Sequence, residues 1–495
     1  MRLLLAPAIV ACAALGLSQS DQAQPAPAPA QPNARYELGW RVRALERAWA
    51  VNADAEKRKV ALPHVEAAVQ RFFGLKLSEA AEQLDLARLV LESNRSQCNW
   101  NDAWALTPER RLVDDTLQEL KLGLTQFYRP CNMQDVVLTA SFDGDGVERY
   151  SCQVSAEIGE VPEVDTLGLA QAALGDRRVE FSIFNGDLVL SKRTFTLSIV
   201  EKCAERLAAL EAALGALPEA APRLERESGK ALLALLQSLA KGSSEETDYP
   251  GARLLAEAEQ LVAAAAKGER FYAAPKTGEF WLSVPTSEKR TTRVRVFVPP
   301  PRPDGAAPPL VLALHGAGGS ENMFFDSYGD GEIVRQCERR GWMLVAPRLG
   351  FGGVAAGPLL DALAERFAFD ASRVFLVGHS MGAGAGCALV LDQPARYRAF
   401  AALGGGQALR NAEKLRNLDV FVAAGERDFG LGGAKQLHAS LVAAGCERAQ
   451  FRLVANTEHL LVVQDALPEV FAWFDSLASA AQDTPDSSGR QRSER

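Results

Sequence analysis

The carboxyl-terminal half of the sequence predicts an α/β fold, in which the strands of a mainly parallel sheet alternate with helices. Short apolar runs recur between residues 310 and 454, and segments with helical spacing of apolar residues separate them. One run, Val374–Val377, leads into Gly378-x-Ser380-x-Gly382 and then into a small-residue helix start. A strand, a sharp glycine turn and a helix in this order are typical of parallel sheets that carry functional residues at their strand ends.

The amino-terminal half has a different, α+β character. Residues 36–125 are dominated by strong helix formers with apolar residues at helical spacing, which predicts helices. Residues 134–200 contain β-branched and aromatic runs and a hairpin turn at Asn185–Asp187, which predicts a small antiparallel, sandwich-like β unit. Residues 201–267 return to a helical pattern that Pro and Gly residues interrupt twice.

The strands of the carboxyl-terminal half begin with a hairpin over residues 271–299, which Pro299–Pro303 connects rigidly to the first parallel strand. A helical pattern that includes Phe471 and Phe474 closes the domain. The predicted parallel strands are the apolar runs Leu310–Leu314, Trp342–Ala346, Val374–Val377, Phe400–Leu403, Val420–Ala424 and Phe451–Val454.

Ser380 is the candidate nucleophile. It lies on the glycine-flanked turn between strand and helix, where a strained backbone exposes a hydroxyl at the end of the sheet. Gly378 and Gly382 are needed because a Cβ would collide where strand and helix approach each other. The motif alone is compatible with a plain glycine turn, and its position at a predicted strand end favours the catalytic interpretation.

A serine hydroxyl needs an imidazole base, and the chain has five His residues. His459 follows a predicted strand in a loop, where α/β sheets place their chemistry, so it is the candidate base. Asp428 follows the preceding strand and is the candidate acid that orients the imidazole, with Glu426 in reserve. His315 is predicted to be structural, and His438 lies within a helical pattern.

A glycine-rich loop, His315–Gly319, follows the first parallel strand. Such a loop lets backbone amides approach a tetrahedral intermediate closely. The expected oxyanion donors are the amide of Met381 and one amide from Gly316 or Ala317. No Cys-x-x-Cys pair or His/Cys cluster occurs, so the sequence predicts neither a metal nor a cofactor.

The set His315-Gly316, Gly378–Gly382, Asp428 and His459 resembles the α/β-hydrolase superfamily. It looks most like the lidless esterases related to polyhydroxybutyrate depolymerases and feruloyl esterases, over roughly residues 270–478. The resemblance implies a mainly parallel eight-stranded sheet flanked by helices, and hydrolysis through an acyl-enzyme. Catalytic domains of the dienelactone-hydrolase and prolyl-oligopeptidase types are also similar, so the resemblance does not separate esters from peptides.

The sequence divides into regions of distinct character. Residues 1–23 have the charge and apolar run of a signal peptide, which predicts export to the periplasm or the cell exterior. Cys12 lies in a segment that resembles a lipoprotein cleavage box, so lipid anchoring is the alternative. No other segment could span a bilayer. The remaining regions are a Pro/Ala spacer at 24–34, the amino-terminal region at 36–250, the catalytic domain at 268–478 and a polar tail at 479–495 that is predicted to be disordered.

The charge of the sequence argues against nucleic acid as a partner, and four of its cysteines allow disulfides. The net charge is −8 and no basic stripe suggests nucleic acid. Cys98, Cys131, Cys152 and Cys203 could form two disulfides, with three possible pairings. Nothing in the sequence indicates an oligomeric state.

The sequence therefore predicts an exported serine hydrolase that cleaves carboxylic esters, free or attached to a polymer. The connection between the strands at 400–403 and 420–424 is too short for a large lid, which favours an open site. A serine peptidase with the same triad and a catalytically inactive binding protein are the alternatives. Because every candidate catalytic residue follows residue 310, residues 270–480 are expected to fold and act alone.

Overall fold

The computed structural model describes residues 33–93, 95–131, 135–142, 148–154, 164–350 and 353–480. The predicted signal peptide with Cys12, the spacer up to residue 32 and the tail from residue 481 lie outside the described residues. Within these ranges, no helix combines the length and the apolar character that crossing a membrane requires.

Helices dominate both ends of the amino-terminal region and flank the strands of the carboxyl-terminal half. In chain order the helices are α1 Ala34–Val51, α2 Ala55–Phe73, α3 Leu77–Ser93, α4 Trp100–Ala103, α5 Cys203–Gly215, α6 Arg223–Leu239, α7 Gly251–Ala266, α8 Met323–Asp326, α9 Tyr328–Arg340, α10 Ala356–Ala364, α11 Met381–Asp392, α12 Leu431–Ala443 and α13 Val462–Ala480. The strands are β1 Trp104–Pro108, β2 Leu112–Asp114, β3 Glu119–Gln126, β4 Val136–Phe142, β5 Glu148–Val154, β6 Val164–Gly168, β7 Gly175–Asn185, β8 Leu188–Val200, β9 Gly278–Pro285, β10 Thr291–Val298, β11 Leu310–Leu314, β12 Met343–Pro347, β13 Val374–His379, β14 Ala399–Leu403, β15 Asp419–Gly425 and β16 Ala449–Val454.

The carboxyl-terminal half is built on an eight-stranded sheet with the order β9-β10-β12-β11-β13-β14-β15-β16. The hairpin β9–β10 is antiparallel, β10 pairs antiparallel with β12, and the pairs from β12 to β16 are parallel. This is the α/β-hydrolase fold, so the predicted fold class and each predicted strand of this half are confirmed. The parallel strands direct their carboxyl ends to one edge, where α/β sheets place their chemistry.

The sheet divides the interior into two hydrophobic layers because successive side chains of a strand face opposite sides. In β11, Leu310 and Leu312 belong to one layer, whereas Val311 and Ala313 belong to the other. Helices α9 and α13 cover the second layer, where Phe375 of β13 stacks between Trp342 and Phe474 at ring distances of 5.1 and 4.5 Å. Helices α10, α11 and α12 cover the first layer.

Helices α5 to α7 share the first layer with the sheet. Leu236 of α6 and Leu254 of α7 lie in the same hydrophobic cluster as the strand residues Leu282 and Val296. Helix α6 runs along the edge strand β9, and the Ser228 hydroxyl accepts a hydrogen bond from a β9 amide at 3.0 Å. Helix α6, before the predicted boundary at residues 250–268, and helix α7, within it, therefore pack onto the eight-stranded sheet.

The predicted small β unit is present as two sheets that enclose a hydrophobic cluster of their own. One sheet has the order β1-β3-β6 and the other β2-β8-β7-β4-β5. The prediction that residues 36–125 are helical is wrong for 104–125, where the chain forms β1, β2 and most of β3. In β3, Leu120, Leu122 and Leu124 are buried and alternate with more exposed residues, so the period of two outweighs helix propensity.

Helices α1 to α3 form a bundle that also holds residues from the far end of the chain. Leu461, just before α13, is buried in the hydrophobic cluster of this bundle. The indole of Trp49 donates to the carboxylate of Asp465 at 3.1 Å. The amino-terminal helices thus complete their packing on the first turn of the last helix.

Cysteine pairing differs from the expectation. Cys98, Cys131 and Cys203 carry free thiols, so the two disulfides that the sequence allows are not formed. Cys98 and Cys203 are buried among apolar neighbours, where burial raises the pKa of each thiol and disfavours the reactive thiolate.

Candidate active site

Ser380 lies at the sharp turn from β13 to α11. Its backbone has φ 53° and ψ −114°, a left-handed conformation that a non-glycine residue adopts only under constraint. A Cβ on Gly378 would collide with the backbone of Gly382, and a Cβ on Gly382 would collide with the carbonyl of Leu314 in β11. The two glycines therefore allow the helix to approach the sheet closely enough to present the serine hydroxyl.

The structure brings together the three residues that the sequence singled out. The Nε2 atom of His459 lies 2.9 Å from Oγ of Ser380, and its Nδ1 atom lies 2.7 Å from Oδ1 of Asp428. Asp428 and His459 are each 5% exposed. The residues follow β13, β15 and β16, so the register of three parallel strands sets their spacing.

The hydrogen bonds fix which ring nitrogen of His459 carries the proton and which one accepts from Ser380. A carboxylate only accepts, so Nδ1 of His459 carries the proton that Asp428 receives, and Nε2 is left to accept from the serine hydroxyl. The amide of Gly430 donates to the same Asp428 oxygen at 2.6 Å and fixes the carboxylate. The reserve residue Glu426 is exposed and accepts from the Asn456 amide at 3.2 Å, and not from His459.

Two of the three predicted oxyanion donors, the amides of Met381 and Ala317, are free of hydrogen bonds to other described residues. The amide of Met381 begins helix α11, where the helix dipole favours negative charge. The amide of Gly316, in contrast, donates to the phenol oxygen of Tyr328 at 3.2 Å.

Tyr328 and His379 form a buried brace beneath the site. The Tyr328 hydroxyl lies 2.7 Å from Nδ1 of His379, and Nε2 of His379 lies 2.9 Å from the carbonyl oxygen of His459. A carbonyl only accepts, so His379 donates from Nε2 and accepts the Tyr328 proton at Nδ1. Burial, followed by the neighbouring His459, lowers the pKa of His379 well below its usual range, which keeps the ring neutral. The brace connects Gly316 of the loop His315–Gly319, called here the oxyanion loop, with the turn at Ser380 and the loop that carries His459.

His315 has the structural role that the sequence predicts. Its Nε2 atom accepts from the amide of Leu349 at 2.9 Å, and its Nδ1 atom lies 2.7 Å from the carbonyl of Gly316. Burial lowers the pKa of His315 to about 4, so the ring is neutral at ordinary pH. His438 packs on Phe451 within the α12 region, away from the three catalytic candidates.

Glu458, directly before His459, is a buried carboxyl that sequence reasoning missed. Its Oε1 atom accepts from the amides of Leu460 and Leu461 at 2.6 and 3.1 Å. Burial raises its pKa from 4.5 to about 8. The folded protein thus retains a proton that the unfolded chain releases above about pH 4.5. The resulting stabilisation is complete below pH 4.5 and is lost as the pH rises through about 8.

The amino-terminal helices reach the site, which the sequence did not indicate. The guanidinium of Arg35 donates to the carbonyls of Gly318 and Gly319 in the oxyanion loop at 3.2 and 3.3 Å. Arg427, next to the candidate acid, donates to Glu66 of α2 at 3.1 Å. Local sequence patterns do not predict these contacts, because each contact joins residues more than 280 positions apart.

Comparisons with known proteins find similarity at the level of structure. No family model and no curated protein matches the chain. A ferulic acid esterase superposes on 41% of this chain and 99% of its own, with 14% identity and a TM-score of 0.35. An S-formylglutathione hydrolase from Staphylococcus aureus covers 40% and 98%, with 14% identity and a TM-score of 0.34. A thermophilic carboxylesterase cloned from a metagenomic library covers 41% and 89%, with 17% identity and a TM-score of 0.32. At such identities the likeness is one of fold alone.

Proposed function

We propose that this protein is a serine hydrolase that cleaves carboxylic esters through an acyl-enzyme, with Ser380 as nucleophile, His459 as base and Asp428 as the acid that orients it. The observation that carries the proposal is the continuous hydrogen-bonded series from Ser380 Oγ through His459 to Asp428, at 2.9 and 2.7 Å. Nucleophile, base and orienting group within hydrogen-bond reach are the geometric signature of nucleophilic catalysis.

Acylation follows from the positions of these atoms. Ser380 Oγ attacks the ester carbonyl carbon while Nε2 of His459 takes the hydroxyl proton. The carbonyl electrons move to oxygen, and the amides of Met381 and Ala317 donate hydrogen bonds to the oxyanion. The bond to the alcohol oxygen then breaks, and His459 passes its proton to that oxygen, which leaves the acyl group on Ser380.

Deacylation repeats the same chemical steps, with water in place of Ser380 as the nucleophile. His459 removes a proton from water as the oxygen attacks the acyl carbon, and Ser380 leaves with that proton. The carboxylic acid is released and the resting hydrogen bonds return. Asp428 stabilises the imidazolium in both halves of the cycle and exchanges no proton with the substrate.

The proposal is tested with p-nitrophenyl esters of increasing acyl length and aminoacyl nitroanilides, together with active-site labelling by a fluorophosphonate. We expect ester turnover and labelling in the full chain. Ser380→Ala should abolish labelling and lower kcat by a factor on the order of 10⁶. Ser476→Ala, which changes an exposed serine of α13, is the matched control and should keep full activity.

Three outcomes would overturn parts of the proposal. Labelling that persists in Ser380→Ala would exclude this residue as the nucleophile. Hydrolysis of nitroanilides with a higher kcat/KM than esters would indicate a peptidase. A folded wild-type protein that neither labels nor hydrolyses any substrate would indicate a catalytically inactive binding protein.

We also propose export, with cleavage of residues 1–23, because the amino-terminal sequence has the features of a signal peptide. Expression of the full chain in a bacterium and mass determination of the mature amino terminus tests this. A mature protein that begins near residue 20–24 supports export, and a lipidated Cys12 supports the anchored alternative. An uncleaved cytoplasmic product would contradict both.

A further inference from the structure

Two phenylalanine rings are exposed beside the candidate base. Among the described residues, Phe73 and Phe429 are the aromatic members of the set of exposed large apolar side chains, at 53% and 64% exposure. Their ring centroids lie 6.0 Å apart at 89°. The Phe429 ring also lies 3.9 Å from the imidazole of His459. Exposed apolar side chains that cluster at one place indicate a binding site more often than isolated ones do.

The two rings belong to a longer aromatic surface that we call the phenylalanine wall, made of Phe72, Phe73 and Phe429. Phe72 and Phe73 are 5.5 Å apart at the end of α2, and the Phe72 ring lies so close to Gly318 of the oxyanion loop that a Cβ there would collide with it. The wall thus reaches from Gly318 in the loop after β11 to the imidazole of His459.

The wall is fixed to the site by polar contacts at both ends. Arg35 donates to Gly318 and Gly319 at one end, and Glu66 of α2 pairs with Arg427 at the other. The Arg35 contact holds α1 against the loop His315–Gly319, and the Glu66 contact holds α2 against the loop that carries Asp428. The wall is thus built jointly by Phe72 and Phe73 of α2 and by Phe429 of the loop after β15.

The position of Phe429 indicates which part of a substrate the wall contacts. In acylation, His459 gives its proton to the alcohol oxygen, so the alcohol portion of the ester lies next to the imidazole. A group attached to that oxygen would meet Phe429 and Phe73. Two rings at right angles present one face and one edge, and a third flat ring can pack against both in the preferred tilted or offset geometries.

We infer that the phenylalanine wall binds the alcohol portion of the substrate and selects esters of alcohols that carry a flat aromatic ring. This inference rests on the proposed function and names its substrate class. It also gives the amino-terminal helices a role in substrate selection, because Phe72 and Phe73 are contributed by α2.

The test compares benzyl acetate with cyclohexylmethyl acetate, which share the acyl group and the number of carbon atoms and differ in the flatness of the ring. We expect the wild-type protein to favour benzyl acetate in kcat/KM by about threefold to tenfold, the range that an aromatic contact provides. Phe73→Ala should bring this ratio close to one, and Phe73→Tyr, which keeps the ring, should restore it.

Leu188→Ala is the matched control, because Leu188 is an equally exposed apolar side chain in the β7–β8 hairpin. It should leave the benzyl preference unchanged. If Phe73→Ala is folded and labelled by a fluorophosphonate but keeps the wild-type ratio, the inference is wrong and the proposed function stands. If no acetate is hydrolysed and Ser380 is not labelled by a fluorophosphonate, both fail together.

Discussion

Removal of one hydroxyl group, in Tyr328→Phe, tests the buried brace beneath the active site. The phenol makes two hydrogen bonds at a fully buried position, accepting from Gly316 at 3.2 Å and contacting Nδ1 of His379 at 2.7 Å. The substitution leaves one buried donor and one buried acceptor without a partner. Each such loss costs about 1–3 kcal/mol, so the free energy of unfolding should fall by about 2–6 kcal/mol.

The kcat of Tyr328→Phe should also fall, and this effect is separate from the loss of stability. Without the phenol, Nδ1 of His379 has no donor and the ring no longer holds its proton on Nε2, so the contact with the His459 carbonyl weakens. The amide of Gly316 is released next to Ala317, the proposed oxyanion donor. Small displacements of catalytic groups cost about tenfold to a hundredfold in rate, and we expect kcat to fall by this amount with little change in KM.

The assay combines urea unfolding with steady-state hydrolysis of p-nitrophenyl butyrate under conditions where wild type and variant are both fully folded. Tyr397→Phe is the matched control, because Tyr397 is also buried and its hydroxyl makes no hydrogen bond to another described residue. The reasoning is refuted if Tyr328→Phe matches Tyr397→Phe within about 0.5 kcal/mol in stability and twofold in kcat.

Three further results are expected. Asp428→Asn should lower kcat by a factor on the order of 10⁴, whereas Glu426→Gln should stay within about twofold of wild type; the reverse order in a p-nitrophenyl ester assay would reassign the acid. Between pH 5 and 9, the free energy of unfolding of the wild type should fall by on the order of 4 kcal/mol relative to that of Glu458→Gln, because only the wild type must release the proton held at a pKa of about 8. Urea unfolding that gives the same pH dependence for both proteins would contradict this. A truncation that begins at Lys267 should be insoluble or unfolded, contrary to what the sequence predicts, because it exposes the surface of the sheet that α6 and α7 cover; a monodisperse, cooperatively melting product by size exclusion and circular dichroism would restore the independent domain.

The catalytic candidates could be predicted because their signals are local. The nucleophile turn requires glycine at positions 378 and 382 for steric reasons, and those glycines are visible in the sequence. Asp428 and His459 each follow an apolar strand, and parallel strands bring their carboxyl ends to one edge. Local patterns in the sequence therefore predict the three residues. They keep Glu426 as a reserve for Asp428, because only the distance to His459 separates the two carboxylates.

The rest of the site depends on contacts that sequence patterns do not record. Phe73 and Phe429 look like ordinary apolar residues of a helix end and a loop, and only the packing of α2 brings them together. The position of Gly316 in its loop predicts an oxyanion donor, but its amide donates a hydrogen bond to the hydroxyl of Tyr328, at the start of α9. The strands at 104–126 were missed because good helix formers occupy them, although the alternation in β3 was present to be read.

The contact between Trp49 of α1 and Asp465 of α13 spans 416 positions of the chain. Together with Leu461 in the core of the first three helices, it means that the segments synthesised first finish folding only after almost the whole polypeptide has appeared. Contacts of such long range slow folding, since a large loop must close before they form. If the chain is exported as proposed, slow closure of these contacts would keep the newly made polypeptide unfolded until transport is complete.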